Sequence, residues 1–210
     1  MVFAHEFALA VVRHGRTAWN ADGRFQGQTD VPLDDTGRAQ AASLAESMRA
    51  ERFDRAVSSD LSRARETAQI VLGAHAGTLV TDVVWREMRF GVWEGLAWPE
   101  IVARDPRLAE DAEAKPKFYT PEGGEAFDDV CARVESGLRA LDSQLGDGAS
   151  VLLVTHAGVL HAMLRVILGE TEATALGVRF SPATVTRFTL GPAGNRLVEL
   201  NRSPANDVVA

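Results

Sequence analysis

The sequence predicts an α/β fold around a mostly parallel sheet, and three observations lead to it. Two short runs, Phe7–Val12 and Val151–Val154, are wholly apolar, as strands buried on both faces are. Segments of strand character alternate along the chain with longer segments of helical character. No internal repeat or low-complexity linker divides the 210 residues, and that length suits one domain. The expectation is a single-domain three-layer sandwich over residues 1–210, with helices on both sheet faces and a small lid insertion at about 88–122.

The elements follow in order. Phe7–Val12 reads as a buried strand that ends at the turn His14-Gly15. The Ala-rich stretch from Asp34 to Met48 opens with Asp35 and Thr36 ahead of Gln40, a capped helix start. Arg55 to Ser58 is a short strand, and a helix from about Leu61 to Leu72 is closed by Gly73. Thr78 to Val84 reads as a further strand. Gly124 to Leu145 is helical, because Val130, Val134, Leu138 and Leu141 share one face. Val151–Val154 is the second buried strand, and it passes through His156-Ala157-Gly158 into a helix ending at Leu168. Thr184–Leu190 and Arg196–Leu200 form a late strand pair across the turn at residues 191–195.

Composition removes several functions. Lys and Arg total 22 against 29 Asp and Glu, for a formal charge of −7. An acidic chain without a basic block is poorly suited to nucleic acid or to an anionic membrane surface. The single cysteine, Cys131, excludes an internal disulfide and a Cys-rich zinc module, and is expected in helix packing. Phe7–Val12 is too short to span a bilayer and follows no basic segment, so neither a signal peptide nor a membrane anchor is expected and the location is read as cytoplasmic.

The chemistry concentrates at the ends of the two most apolar strands, where open α/β sheets bind ligands. Each ends in a histidine close to glycine: Arg13-His14-Gly15 and Thr155-His156-Ala157-Gly158. Adjacent strands lie about 4.8 Å apart, so neighbouring strand ends would bring both imidazoles to one ligand atom. A metal is not expected there. Arg13 is a permanent cation beside one histidine, and no His-Glu-x-x-His spacing occurs. An anion fits better. Arg63 and Arg65 sit in the first turn of a helix, where the dipole disfavours cations but favours phosphate. Asp60 offsets part of that cost, and only one of the two arginines needs a ligand to explain it.

Five blocks in order then resemble the histidine phosphatase superfamily, the group that includes the cofactor-dependent phosphoglycerate mutases. They are Val12-Arg-His-Gly-Arg-Thr-Ala-Trp-Asn20, the stretch from Gly23 to Ala41, Ser58 to Ala68, Trp85-Arg-Glu-Met-Arg-Phe-Gly-Val-Trp-Glu-Gly95, and Thr155-His-Ala-Gly158. The resemblance implies that His14 attacks phosphorus and forms a phosphohistidine, with Arg13, Arg63 and His156 neutralising the phosphate oxygens. It implies Glu87 as the general acid that later activates water. Thr17, Asn20, Gln26, Gly27 and Ala157 match the phosphate and substrate loops. It calls for no cofactor, and the partner it implies is a small phosphorylated metabolite. Glu94 is read as a turn cap, and His161, five positions after His156, as structural or exposed. His5 and His75 are assigned nothing, and Trp85, Trp93 and Trp98 are read as core or lid.

Departures from the mutases favour the phosphatase branch. Met88 and Phe90 stand where mutases carry Arg and Tyr, and only 69 positions separate Glu87 from His156, without the longer basic insertion of the mutases. Arg16 replaces the usual Glu or Gln and suggests a more cationic entrance. Met88, Phe90, Trp93, Trp98, Phe118 and Tyr119 are candidate contacts for an apolar leaving group, and Lys115 and Lys117 for a second anion. The rival readings are a phosphoglycerate mutase and a non-catalytic phosphate-binding module. Nothing in these residues speaks for or against a homo-oligomer.

Overall fold

The computed structural model describes residues 1–109 and 119–204. Its elements in chain order are β1 (Phe7–Arg13), α1 (Ala18–Ala21), α2 (Asp35–Ser47), β2 (Arg55–Ser58), α3 (Ser62–Leu72) and β3 (Leu79–Thr81). There follow α4 (Trp98–Arg104), α5 (Phe127–Asp142), β4 (Ala149–Thr155), α6 (Ala157–Leu168), α7 (Glu170–Leu176), β5 (Val185–Leu190) and β6 (Arg196–Arg202). The six strands form one sheet in the order β3-β2-β4-β1-β5-β6. The first four in that order run parallel, whereas β5 and β6 add antiparallel. This is the expected three-layer α/β class.

Strand periodicity sorts the core into two faces. Leu9, Val11, Val151 and Leu153 point to one side, where Val130, Val134 and Leu138 of α5 and Val159, Met163 and Leu164 of α6 cover them. Ala10, Val12, Leu152 and Val154 point to the other, under Leu44 of α2 and Ala64 and Ala68 of α3. The chain therefore leaves β1 toward one face and β4 toward the other. β1 and β4 are neighbours, so a crevice opens where their carboxyl ends diverge, and that crevice positions the site.

Several boundaries differ from expectation. The cap of α2 is Asp34, whose carboxylate accepts the Gly37 N–H at 2.7 Å, one residue before the predicted opening. The strand predicted over 78–84 keeps only Leu79–Thr81, because the Asp82 carboxylate accepts the Val84 N–H at 2.9 Å and turns the chain. α5 starts at Phe127 rather than Gly124, whose N–H bonds back to Pro121 in a turn. α1, α4 and α7 were not anticipated.

Within 88–122, Met88 is buried in the main core. Trp93, Ile101 and Leu108 form a separate apolar cluster with Phe25, Phe90, Trp98 and Tyr119 packed against it. Lys115, Lys117 and Phe118 lie outside the described residues. Among the described residues no helix is long and apolar enough to cross a membrane.

Candidate active site

Parallel pairing puts Arg13 in register with Thr155, so His14 and His156 leave adjacent strands at the same level. The His14 N–H bonds to the Thr155 carbonyl at 2.9 Å, and the two imidazole centroids are 5.1 Å apart. Both rings are almost wholly buried. His14 Nδ1 lies 2.7 Å from the Gly15 carbonyl, which can only accept, so Nδ1 carries the proton and Nε2 keeps its lone pair. Both ring nitrogens of His156 lack a protein partner.

Two guanidinium groups flank the pair. Arg63 is fully buried at the start of α3 and donates to the carbonyls of Gly27 at 2.7 Å and Thr29 at 2.9 Å. Burial pushes it down to about 10, partly opposed by Glu87, Asp30 and Glu94, so it stays cationic at neutral pH. Arg13 donates to the Phe180 carbonyl at 2.6 Å and is also lowered by burial, against the pull of Glu87. The Nε–H groups of both arginines have no partner. Buried donors without acceptors are costly, and an anion would satisfy them.

Burial also holds His14 and His156 well below the usual 6.5, aided by the positive charges of Arg63 and Arg13. Both imidazoles are therefore neutral at pH 7. The unfolded chain takes up these two protons near 6.5 while the folded chain does not, so stability is full above that pH and is lost as pH falls below it. The unfolding midpoint of the unliganded protein should fall from about pH 7.5 to about 5.5, and fall less in a His14→Asn/His156→Asn variant. Equal slopes in a thermal-melt series would contradict the assignment.

Glu87 faces the same cavity from the segment after Trp85. Its carboxylate accepts the Met88 N–H at 2.8 Å and the Gly158 N–H at 3.0 Å. The second bond ties it to the first turn of α6, where the dipole favours negative charge. A Cβ on residue 158 would come within 2.3 Å of Glu87 Oε1, which accounts for glycine there. Arg133 fixes the same segment by donating to the carbonyls of Val84 and Glu87.

These groups border a cavity of about 650 Å³. Of the residues singled out in sequence, Arg13, His14, Asn20, Gln26, Gly27, Arg63, Glu87 and Ala157 line it. Thr17 does not; it caps α1, and its hydroxyl donates to Gln26 Oε1 at 3.0 Å, so it positions Asn20 and Gln26. His156 sits behind the lining, against His14. Arg65 is exposed, and Asp60 is engaged with Arg86.

Two expectations need correction. Arg16 does not make the entrance more cationic, because it turns away from the cavity to Asp34 at 2.8 Å and Thr36 at 2.8 Å. His161 does line the cavity, with its ring edge-on to Phe180. His156 has the extended backbone of a cap, so the helical count starts at Ala157 and His161 stands one turn above it. Counting from Ala157 would have found it. Phe127, Val178 and Arg179 also line the cavity and were missed. Of the proposed lid aromatics, Phe90 lines it, whereas Trp93 and Trp98 pack against Phe25.

An α/β sheet that brings His14 and two buried arginines to one cavity, with His156 against His14 behind the lining, fits a phosphoric monoester hydrolase. The chain belongs to the histidine phosphatase superfamily, branch 1, whose family model matches residues 9–203. A glucosyl-3-phosphoglycerate phosphatase of Mycolicibacterium vanbaalenii is 39% identical over 170 residues, covering 77% of this chain and 74% of the relative. A metal-independent phosphoserine phosphatase of Arabidopsis thaliana is 35% identical over 178 residues, covering 80% and 71%. The solved structure of a mycobacterial glucosyl-3-phosphoglycerate phosphatase with VO3 superposes with a TM-score of 0.82 at 30% identity, covering 93% of this chain and 99% of that one.

Proposed function

We propose that the protein is a metal-independent phosphatase that hydrolyses a small-molecule phosphomonoester through a phosphohistidine at His14. The observation that carries this is the His14 tautomer, whose Nδ1–H is spent on Gly15 and whose Nε2 lone pair is left for phosphorus. In the first step the Nε2–P bond forms as the ester P–O bond breaks, and the Glu87 carboxyl would pass a proton to the departing oxygen. In the second step Glu87 takes a proton from water as it attacks phosphorus, the P–N bond breaks, and inorganic phosphate leaves. Arg13, Arg63 and His156 would bind the phosphoryl oxygens, supplying charge stabilisation without covalent chemistry.

One further feature supports this reading. Fixed guanidinium charge would take the part that two cations play in metallophosphatases. Hydrolysis of para-nitrophenyl phosphate should therefore survive exhaustive chelation, and vanadate should inhibit it. Activity lost in chelator and restored by magnesium or zinc would overturn metal independence. Transfer of phosphate between the carbons of phosphoglycerate, rather than to water, would return the mutase reading.

The leaving group we propose has an apolar body. Met88, Phe90, Phe127 and Val178 line the cavity, which at about 650 Å³ is far larger than a phosphate. Met88 and Phe90 would form part of its wall, and the partner would be a small metabolite, not nucleic acid or a membrane. A panel of phosphorylated metabolites ranked by kcat/KM tests this, with apolar leaving groups expected to lead.

A further inference from the structure

Glu94 was read in sequence as a turn cap, and its surroundings give it a larger part. It does not line the cavity. Its carboxylate is saturated by groups from two segments. Oε1 accepts the N–H of Gln28 and of Phe90, each at 3.1 Å. Oε2 accepts the N–H of Thr29 at 3.0 Å and the Thr29 hydroxyl at 2.5 Å. Gly27 has a φ of +53°, and a Cβ there would stand 2.0 Å from Glu94 Oε1, so the loop and the carboxylate fit closely. Beside this clasp, Phe25 and Gly95–Leu96 exchange backbone hydrogen bonds at 2.8 and 2.9 Å.

The clasped loop is the one that holds Arg63. Guanidinium has five N–H donors in a rigid plane. Two of them go to the carbonyls of Gly27 and Thr29, on either side of Gln28, and the Nε–H has no protein partner. The direction of those two carbonyls therefore sets the plane of the guanidinium and the aim of its remaining donors. We infer that Glu94 is a positioning residue that sets phosphate affinity by fixing, through the backbone of Gly27–Thr29, how Arg63 presents its N–H groups to the cavity. The inference rests on the phosphatase reading only in taking phosphate as the ligand. Glu94 also lies close enough to help keep Arg63 charged, alongside Glu87 and Asp30 and against Arg13.

Calorimetric binding of inorganic phosphate tests this without any need for turnover. Glu94→Gln puts an amide NH2 against backbone donors, and its dissociation constant should rise about tenfold or more, the scale of a lost hydrogen bond to a charged group. Thr29→Val removes only the hydroxyl bond and should raise it by a few-fold, in a protein with almost all of the clasp left. The decisive arm is a double-mutant cycle with Arg63→Ala. In that background Glu94→Gln should change the constant by less than about twofold, because the group it acts through has gone. A merely structural role would lower the melting temperature and leave phosphate affinity unchanged well below it, or add fully to Arg63→Ala. Either result overturns the inference. A wild-type protein that binds no phosphate overturns the phosphatase reading itself, and the clasp with it.

Discussion

Under the proposed mechanism His14→Ala should abolish turnover, with a loss on the order of 10⁴-fold or more, because a covalent nucleophile would have no substitute among its neighbours. The fold should survive. The ring is tied to the Gly15 carbonyl, and the backbone N–H keeps its bond to Thr155 when the ring is removed. The companion result is chemical. Wild-type protein incubated with substrate and quenched in alkali should carry base-stable, acid-labile phosphate on the peptide containing His14. Phosphate trapped on a serine, or near-normal activity in the variant, would remove His14 from its role.

Glu87→Gln is the next largest effect and the more discriminating one. The amide oxygen can still accept from Met88 and Gly158, so the geometry is largely retained while proton transfer is lost. Hydrolysis of alkyl phosphates, whose leaving oxygen needs a proton, should slow by about 10²–10⁴-fold. Para-nitrophenyl phosphate should be much less affected in its first step, since para-nitrophenolate leaves without help. Glu94→Gln should behave differently, weakening both substrates alike. If Glu87→Gln matches wild type on alkyl phosphates while Glu94→Gln depends on the leaving group, the acid is the wrong glutamate.

The sequence revealed what burial on both faces imposes. β1 and β4 are apolar throughout because each lies between two helical layers, and a polar histidine at the end of such a run marks where the layers stop. That made His14 and His156 legible as a pair before any neighbour relation was known. The choice between Arg63 and Arg65 was not legible from composition; the family resemblance made it, and the phase of α3 explains it. Arg63 shares its buried face with Thr67, whose hydroxyl accepts the Gly15 N–H at 3.0 Å, and Arg65 points outward. α1, α4 and α7 span 4, 7 and 7 residues, too few to show a helical period. The aromatic residues of 90–98 misled because apolar content does not say which surface it covers. Most of it seals Phe25 and its own cluster rather than the cavity. Arg16 misled for a related reason: a long side chain can reach a cap such as Asp34 and leave the mouth it starts from.

The central position of β1 has a consequence for how the chain comes into being. Phe7 pairs with Ala149 on one side and with Leu190 on the other, so the earliest of the six described strands is completed by two of the later ones. A chain growing from its N-terminus carries its most apolar strand, unpaired on both edges, through most of synthesis. Such contacts are slow to close and expose the intermediate to aggregation. His14 and His156 meet only when β4 docks on β1, and the Phe180 carbonyl that holds Arg13 arrives later still. Catalytic competence is thus a late event of biogenesis, and no N-terminal fragment ending before β4 can assemble the histidine pair.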